Sequence, residues 1–375
     1  MYHFCYRKNF SKKIIFDNTN SDILIKYLNL SKKDYFIYKT EPRTIYFNIP
    51  IIIQFIKLLI NSGKFKNYKN LKYLNFIYLI SFFKTVAPKI VITHVDDSNS
   101  FFTITRNLKN LNFLAIQNGY RLPGEYLNNK YFFKYYFSWG SHEEEIFKKY
   151  KIKYKKVLPI GSLAGDYYFN KYNKIKKKYD FCLIDQTART PDWLSNHFKN
   201  DKKYFFHLNN FTEKQEIFFS YFARYLKKNN FKVVVATRGR KKDTNLNLLN
   251  KYFKNLVIFK ETIKPNDVYK IMCQSKNVIG FPCSVIRECW GFEKKAIMVN
   301  FFDNETFTTF KNDFLVITKQ NFNYFEKRLN ELNKMPNLKY SKKLSKYKNI
   351  FMNNDQNIRI KDIFQKKLNQ IIGIS

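Results

Sequence analysis

A hydroxyl and a carboxylate four residues apart are the side chains best spaced for chemistry in the second half of the chain. Ser284 follows Cys283 in a tight turn, and Glu288 lies one turn along a helix predicted over Val285–Phe292. The start of a helix offers N–H groups to a phosphate, and a nearby carboxylate accepts hydrogen bonds from sugar hydroxyls. The spacing predicts a nucleotide site, with phosphate at Cys283 and Ser284 and ribose beside Glu288. In the alternative, Ser284 only caps the helix.

Two apolar runs position this pair of residues. Strands are predicted at Asn277–Phe281 and Ala296–Asn300, on either side of the turn and helix. A unit of strand, helix and strand implies a parallel sheet with a right-handed crossover. Ligands of such sheets bind outside the carboxyl ends of the strands, which is where the turn falls.

The residues FPCSVIRECWGFEKKAIMVN, at 281–300, resemble the donor-binding segment of GT-B glycosyltransferases. The resemblance is to bacterial surface-carbohydrate (polysaccharide, lipopolysaccharide and capsule) transferases and to their relatives, the CDP-glycerol glycerophosphotransferases and UDP-N-acetylglucosamine 2-epimerases. It rests on a Pro-Ser or Ser-Ser turn, a helix with an acidic residue, and Gly-x-x-Lys-x before a hydrophobic strand. It implies an α/β fold with two Rossmann-like, doubly wound domains facing a cleft. The alternative is a helix-capping unit in another doubly wound protein.

Polar residues accumulate at the carboxyl end of a strand predicted over Lys89–Ser98. If the strand extends that far, His94 and Asp96 lie on one face and Asp97 on the other. A carboxylate there can deprotonate an acceptor hydroxyl, and the resemblance also implies an acidic residue at this strand end. Asp96 is the first candidate for the catalytic base, followed by Asp97 and His94. In the alternative, Asp96 or Asp97 caps a helix predicted at Ser100–Lys109.

Amides and glycines follow the later strands of the first half. Gln117, Asn118 and Gly119 can contact a neutral sugar or base without adding charge, although an Asn-Gly turn explains them equally well. Related GT-B enzymes often have Gln-His-Gly at this place, so Asn118 argues against a histidine-based step here. Gly161 and Ser162 are expected to line the cleft between the domains.

The second half alternates strands and helices, which predicts a second doubly wound sheet. Arg238 ends one strand and is the best candidate for the donor phosphates, because a guanidinium pairs with phosphate bidentately. Gln186 and Lys260 end two further strands and are candidate donor contacts. Arg287 lies about 100° around its helix from Glu288, so the two are not expected to face one ligand.

A length of 375 residues fits two domains. Residues 1–169 are predicted to form an acceptor-binding domain, 170–179 a basic linker, and 180–354 a nucleotide-donor-binding domain. The last helix lies within residues 355–375, and in the resembling families this helix crosses back to the first domain.

A formal net charge of +39 suggests nucleic acid or an anionic membrane as a partner. Lys, Asn, Ile, Phe and Tyr are all abundant and share AT-rich codons, so genome composition is a competing cause of the charge. The basic residues are spread evenly and no recognition motif occurs, so no nucleic-acid partner is expected. Contact with the anionic inner leaflet of the cytoplasmic membrane is still expected.

The five cysteines form no C-x-x-C pair, and the N-terminus lacks the apolar core of a signal peptide, so a cytoplasmic location is expected. Two apolar stretches, Tyr46–Ile60 and Leu71–Phe83, contain polar residues and are too short to span a bilayer. They are interpreted as core helices, joined by a basic loop that contacts the membrane surface; in the alternative, the helices dock at the headgroup layer together with the loop. The basic residues of the loop are Lys64, Lys66, Lys69 and Lys72.

Motifs for other chemistries are missing from the sequence. No P-loop, dinucleotide-binding, zinc-protease or hydrolase-nucleophile motif occurs. Asp96-Asp97-Ser98 is not the D-x-D of metal-dependent transferases, so no metal and no other cofactor is expected. The consecutive acids Glu143–Glu145 are interpreted as complementing the dipole of their helix rather than as catalytic carboxylates.

These observations favour a metal-independent glycosyltransferase that moves a sugar from a nucleotide-activated donor to a surface-polysaccharide or lipid-linked acceptor. A polyol-phosphate (CDP-glycerol-type) transferase or a nucleotide-sugar epimerase on the same fold is the alternative, although histidines are scarce for an epimerase. A basic nucleic-acid-binding protein is the alternative from another class.

Overall fold

The computed structural model describes residues 2–17, 21–28, 33–40, 43–61, 71–120, 131–185, 211–238, 246–301, 314–353 and 358–373. The chain divides into two compact units. Unit 1 comprises Met1–Asn118, Asn129–Ala164 and Asp355–Ser375, and unit 2 comprises Gly119–Asn128 and Gly165–Asn354.

Unit 1 contains a six-stranded parallel sheet and a separate parallel pair. Its strands are β1 (His3–Tyr6), β2 (Lys13–Phe16), β3 (Phe36–Tyr38), β4 (Thr44–Phe47), β5 (Ile90–Thr93), β6 (Phe113–Ile116), β7 (Phe132–Ser138) and β8 (Lys153–Pro159). The sheet order is β3-β2-β5-β6-β7-β8, and β1 pairs with β4. Continuous apolar runs such as the IVIT of β5 and the FLAI of β6 are buried along their whole length, as in other all-parallel sheets.

Helices of unit 1 supply the rest of its core. They are α1 (Ser21–Leu28), α2 (Ile49–Asn61), α3 (Leu71–Val86), α4 (Asn99–Asn107), α5 (His142–Lys149) and the C-terminal helix Ile360–Ile372. Phe82 and Phe83 of α3 are fully buried, and Phe364 of the C-terminal helix packs edge-on to Phe137 of β7, with ring centroids 5.3 Å apart. The C-terminal helix is therefore part of the core of unit 1.

Unit 2 is built on a second six-stranded parallel sheet. Its strands are β9 (Tyr179–Ile184), β10 (Val233–Arg238), β11 (Ile258–Thr262), β12 (Ser275–Gly280), β13 (Ala296–Val299) and β14 (Val316–Ile317). The order is β11-β10-β9-β12-β13-β14. Its helices are α6 (Leu163–Tyr172), α7 (Phe211–Asn229), α8 (Leu246–Phe253), α9 (Pro265–Cys273), α10 (Ser284–Gly291), α11 (Phe322–Lys334), α12 (Asn337–Leu344) and α13 (Lys348–Phe351). The first two residues of α6 belong to unit 1.

The predicted fold class is confirmed: the chain is α/β, with two Rossmann-like parallel sheets. The unit predicted around Ser284 is present as β12, α10 and β13, each within two residues of its predicted limits. Residues 170–172 of the predicted linker belong to α6, which begins at Leu163. The elements between His3 and Phe47, whose strands have three or four residues, were not predicted from the sequence.

The two apolar helices of unit 1 differ in burial. Helix α3 is a core helix as predicted, whereas α2 exposes Ile49, Ile53 and Ile60, so its interpretation as a core helix is wrong. The basic loop predicted at the membrane surface lies outside the described residues, apart from the backbone of Lys72 in α3. Within the described ranges, no helix combines the length and apolar character needed to cross a membrane. The five cysteines, all described, form no disulfide.

Candidate functional site

The sheet of unit 2 reverses its strand order between β9 and β12. The chain builds β9, β10 and β11 outward on one side and then returns to place β12 against the other side of β9. Such a switch point is where open parallel sheets bind ligands, outside the carboxyl ends of the strands. Gly280 ends β12 beside Ile184 of β9, and a Cβ on Gly280 would lie 3.2 Å from the Ile184 Cβ. A glycine therefore lets the two strands approach closely where the site begins.

Helix α10 starts at this switch point, and three residues separate it from the end of β12. Cys283 is its N-cap residue, in an extended conformation, and the Cys283 side chain makes no capping hydrogen bond. The first N–H groups of a helix have no partner inside the helix, so a capless start presents donors and the positive end of the helix dipole. The start of α10 can therefore receive an anionic group.

Ser284 does not cap α10, so the capping alternative for this residue is wrong. Its hydroxyl instead accepts a hydrogen bond from the backbone N–H of Tyr120, at 2.7 Å. Gly119 makes this contact possible, because a Cβ at Gly119 would come within 3.0 Å of the Ser284 hydroxyl oxygen. Residues Gly119 and Tyr120 belong to unit 2 although the strand before them, β6, belongs to unit 1. Long-range contact of this kind leaves no signal in a local sequence pattern.

Arg287 contacts the same segment from the next turn of α10. Its guanidinium lies 4.7 Å from the ring centroid of Tyr120 and 5.7 Å from that of Phe351, within the range of cation–π attraction. The side chain is buried. Sequence reasoning gave Arg287 no role, because nothing near it in the sequence indicates that Tyr120 packs on it.

Glu288 points to a different neighbour from Arg287. Its carboxylate accepts a hydrogen bond from the Tyr269 hydroxyl at 2.7 Å, and only 3% of the residue is exposed. Burial, and then the adjacent Glu288 charge, raise the pKa of Tyr269 well above its usual value, so the tyrosine remains a donor. Tyr269 in turn stacks on Tyr168, with ring centroids 4.8 Å apart. The contact of Glu288 with ribose stays a prediction. In that contact the ribose would bind a carboxylate that is buried within unit 2.

The remaining predicted donor contacts are not brought together by the described residues. Gln186 and the side chain of Arg238 lie outside the described part of the chain, although the Arg238 backbone pairs with Thr262 in the sheet. The ammonium of Lys260 lies 5.7 Å from the ring centroid of Tyr179, the first residue of β9. Lys260 is therefore directed away from the carboxyl ends of the strands.

Unit 1 has its own switch point, between β2 and β5, and the predicted catalytic residues follow β5. This strand ends at Thr93, so the argument that alternation places His94 and Asp96 on one face of a strand is wrong. Asp96 is 1% exposed and accepts a hydrogen bond from the Tyr136 hydroxyl at 2.9 Å. His94 is also buried, whereas Asp97 is exposed.

Neither Asp96 nor Asp97 caps the helix that follows them. Ser98 is the N-cap residue of α4, and its hydroxyl accepts a hydrogen bond from the N–H of Phe101 at 3.3 Å. The capping alternative is therefore wrong for both acids. The assignment of Asp96 as a base stays a prediction, and Tyr136 is a partner that the sequence did not indicate.

The side chain of Gln117, which follows β6, links the end of β7 to helix α5 within unit 1. Its side-chain oxygen accepts from the N–H of Trp139 at 2.6 Å, and its side-chain nitrogen donates to Glu143 at 3.0 Å. Only 1% of Gln117 is exposed, so it does not present its amide to a sugar in this structure. Glu143 stands in the first turn of α5, as predicted, but it is buried and hydrogen-bonded rather than a solvent-facing acid.

Three further predicted contacts are placed as follows. Asn118 is half-buried, and it ends the first segment of unit 1. Gly161 has a φ of 94°, a left-handed conformation that favours glycine, and its N–H donates to the Ser138 carbonyl at 3.3 Å. Ser162 is buried. Of the residues described, no group of three or more His, Cys, Asp and Glu could hold a metal ion, and metal independence stays a prediction.

Comparison with known proteins gives matches among solved structures. No protein-family model matches the chain, and no curated protein matches it. A UDP-N-acetylglucosamine 2-epimerase from Neisseria meningitidis, bound to UDP-GlcNAc, is 10% identical with a TM-score of 0.54, over 96% of this chain and 99% of that chain. A glycosyltransferase from Rickettsia africae is 14% identical with a TM-score of 0.53, over 98% of this chain and 99% of that chain.

A third structure, from Listeria monocytogenes, is provisionally designated a UDP-N-acetylglucosamine 2-epimerase. It is 10% identical with a TM-score of 0.59, over 97% of this chain and 98% of that chain. Identities this low establish the shared fold and nothing finer. The chain therefore has the GT-B fold of two Rossmann-like units, in common with solved UDP-N-acetylglucosamine 2-epimerases and a glycosyltransferase.

Proposed function

We propose that this protein is a nucleotide-sugar-dependent glycosyltransferase whose unit 2 binds the donor at the start of α10. The observation that carries the proposal is the capless start of this helix at the β9–β12 switch point, with Glu288 one turn inside it. The fold supports it, since two of the neighbours are a glycosyltransferase and an epimerase bound to UDP-GlcNAc.

In this proposal each residue has a defined part. The donor phosphates rest on the N–H groups at the start of α10 and on the Ser284 hydroxyl, which keeps its own O–H to donate. Glu288 accepts from the ribose hydroxyls, and Arg238 is the candidate cation for the phosphates. Asp96 is the candidate base that takes the proton from the acceptor hydroxyl. Charge on the leaving nucleotide is stabilised by the helix and Arg238 without a metal.

The proposed acceptor is a surface polysaccharide or a lipid-linked glycan, handled at the inner face of the cytoplasmic membrane. A nucleotide-sugar epimerase is the second candidate, favoured by several solved neighbours that bear that name. Both share donor binding through α10, and they differ in whether a second substrate is needed. A polyol-phosphate transferase would instead select a cytidine nucleotide.

A nucleotide screen tests the proposal. Thermal shift and calorimetry with UDP, CDP, GDP and CMP should show a rise in melting temperature for one base. Tight heparin and DNA binding that resists high salt, without any nucleotide effect, would contradict the proposal and favour a nucleic-acid-binding protein.

Turnover then separates the two enzymes. With the preferred donor, release of nucleotide that depends on an added glycan acceptor indicates transfer, whereas interconversion of nucleotide-sugars without acceptor indicates the epimerase. Asp96→Asn should abolish transfer while leaving donor binding unchanged. Near-normal turnover in this variant would remove Asp96 as the base.

A further inference from the structure

Helix α2 of unit 1 exposes an apolar face. Its sequence, IPIIIQFIKLLIN, buries Ile51 against unit 1. The opposite stripe follows helical spacing and is 43–67% exposed. Its members are Ile49, Ile52, Ile53, Ile56 and Ile60, which we call the isoleucine stripe. A water-facing helix ordinarily places charged and polar residues on such a face.

Exposed aromatic residues also lie on β1, whose partner strand β4 leads into α2. Phe4 and Tyr6, two residues apart on β1, are 71% and 61% exposed. The Tyr6 ring meets the ring of Phe47, two residues before α2 begins, with centroids 5.8 Å apart. Asn48 connects the residue after β1 to the start of α2. Its side chain donates to the Arg7 carbonyl at 3.3 Å and accepts from a backbone N–H of α2. The start of α2 is therefore hydrogen-bonded to the residue that follows β1, and the stripe and these aromatic rings lie on connected elements of unit 1.

Negative charge is missing from this part of the chain. Residues 42–95 contain no Asp or Glu, whereas a stretch of that length would hold about four at the average of 29 in 375 residues. Residues 1–16 contain none either. Arg7, Lys8 and Lys57 are exposed beside the apolar surface, and the sequence between α2 and α3 adds further lysines. The lack of acids is local, so an excess of lysine codons alone does not explain it.

We propose that the isoleucine stripe docks this protein on an anionic lipid bilayer. Isoleucines with basic residues at their sides suit a bilayer surface, where apolar side chains enter the acyl boundary and ammonium groups meet lipid phosphates. A second copy of this chain would bring the exposed basic residues Arg7, Lys8 and Lys57 of two copies together, which charge repulsion opposes. Thirteen residues make a helix about 20 Å long. That is shorter than the roughly 30 Å hydrocarbon core, so α2 lies in the surface and does not span it.

The proposed function includes an acceptor at the membrane, and this inference assigns the element that makes the contact. Its test needs no sugar donor. Membrane docking can therefore fail while the transferase proposal stands, and the transferase proposal can fail while membrane docking stands. Full-length protein is mixed with phosphatidylglycerol vesicles or phosphatidylcholine vesicles at low and high salt, and the bound fraction is measured by flotation. Ile53→Ser/Ile56→Ser leaves the charge unchanged and should lower the partition onto anionic vesicles at least tenfold.

The matched control replaces two apolar residues of unit 2 that are more exposed than Ile53 and Ile56. Ile263→Ser/Leu338→Ser, at positions 73% and 84% exposed, should bind anionic vesicles within twofold of wild type. Absence of wild-type binding to anionic vesicles overturns the inference. Equal loss in both double variants, or no loss in either, also overturns it, because binding would then rest on net charge or on general apolar surface.

Two further measurements cover a folding defect and a dimer. A Cys5→Ser background removes the exposed thiol, so that Ile56→Cys and Ile263→Cys can carry an environment-sensitive dye. The dye at residue 56 should shift to the blue with anionic vesicles, and the dye at residue 263 should not. Sedimentation without lipid should give a monomer. A wild-type dimer that Ile53→Ser/Ile56→Ser dissociates would assign the stripe to a second copy instead.

Discussion

A single hydrogen bond, from the Tyr120 N–H to the Ser284 hydroxyl, fixes the residue that opens α10. The sequence indicated which residue types lie at the start of α10 but not which residues they contact. Ser284 and Glu288 stood out because their spacing is local, one turn of helix. Tyr120 and Tyr269 could not be predicted, since they reach the helix from positions 164 and 19 residues away in the chain.

Gly119→Ala tests the approach of these two segments. The added Cβ would meet the Ser284 hydroxyl oxygen at 3.0 Å and push it from the Tyr120 N–H. We expect the free energy of unfolding of unit 2 to fall by about 1 kcal/mol, the usual net contribution of one hydrogen bond. Urea unfolding measures it. In a Ser284→Gly background, where the hydroxyl is gone, Gly119→Ala should cost less; an equal cost would show that the crowding lies elsewhere.

Glu288→Gln tests the contact with ribose. The amide oxygen can still accept from the Tyr269 hydroxyl, so folding should be retained, whereas ribose hydroxyls lose a charged acceptor. We expect about tenfold weaker binding of the preferred nucleotide, or about 1.4 kcal/mol, by calorimetry. The 2′-deoxy nucleotide is the control, because wild type and variant should bind it alike if Glu288 contacts the 2′-hydroxyl. Unchanged binding of the ribonucleotide would remove Glu288 from the site.

At the scale of elements, a glycine lets α10 pack closely against the residue that follows α13. Gly291 ends α10, and a Cβ there would lie 2.3 Å from the Met352 Cγ, just after α13. The sequence predicted β12, α10 and β13 well, because their apolar runs are continuous and bounded by turns. It failed for β2 and β3, and so the switch point of unit 1 beside β5 could not be predicted.

Gly291→Ala should destabilise unit 2 by about 1–3 kcal/mol, although alanine favours a helix by up to about 1 kcal/mol over glycine. Crowding wins because Met352 contributes three atoms within 3.0 Å of the new Cβ. Thermal and urea unfolding measure the change. With Met352→Ala already in place, the same substitution should be neutral or stabilising, and a persisting loss in that background would contradict the packing argument.

At the scale of the whole molecule, we expect stability to depend on pH through Lys294, which lies between α10 and β13 in unit 2. The Lys294 ammonium donates to the carbonyl oxygens of Ser275 and Lys276 at the amino end of β12. Burial, and then the nearby Lys177 ammonium, lower the pKa of Lys294 to about 7. An unfolded lysine has a pKa of about 10.4, so above pH 7 the unfolded chain holds this proton more tightly than the folded one.

The free energy of unfolding should therefore rise as the pH increases from about 7 towards 10. The buried thiols of Cys182 and Cys289 act in the opposite direction above about pH 8.5, because burial raises the pKa of each. Urea unfolding of wild type and Lys294→Met at pH 6.5, 7.5 and 8.5 isolates the lysine. The wild type should gain stability relative to the variant across this range, and parallel pH profiles would contradict the assignment.

The C-terminal helix Ile360–Ile372 lies in unit 1, whereas residues 165–354 form unit 2. During synthesis on the ribosome, the sheet of unit 1 therefore emerges first but must wait for the final residues before Phe364 can cover Phe137. Unit 2 is complete earlier, and a gene fragment limited to it leaves out only the short segment at Gly119. No continuous gene fragment encodes unit 1 alone.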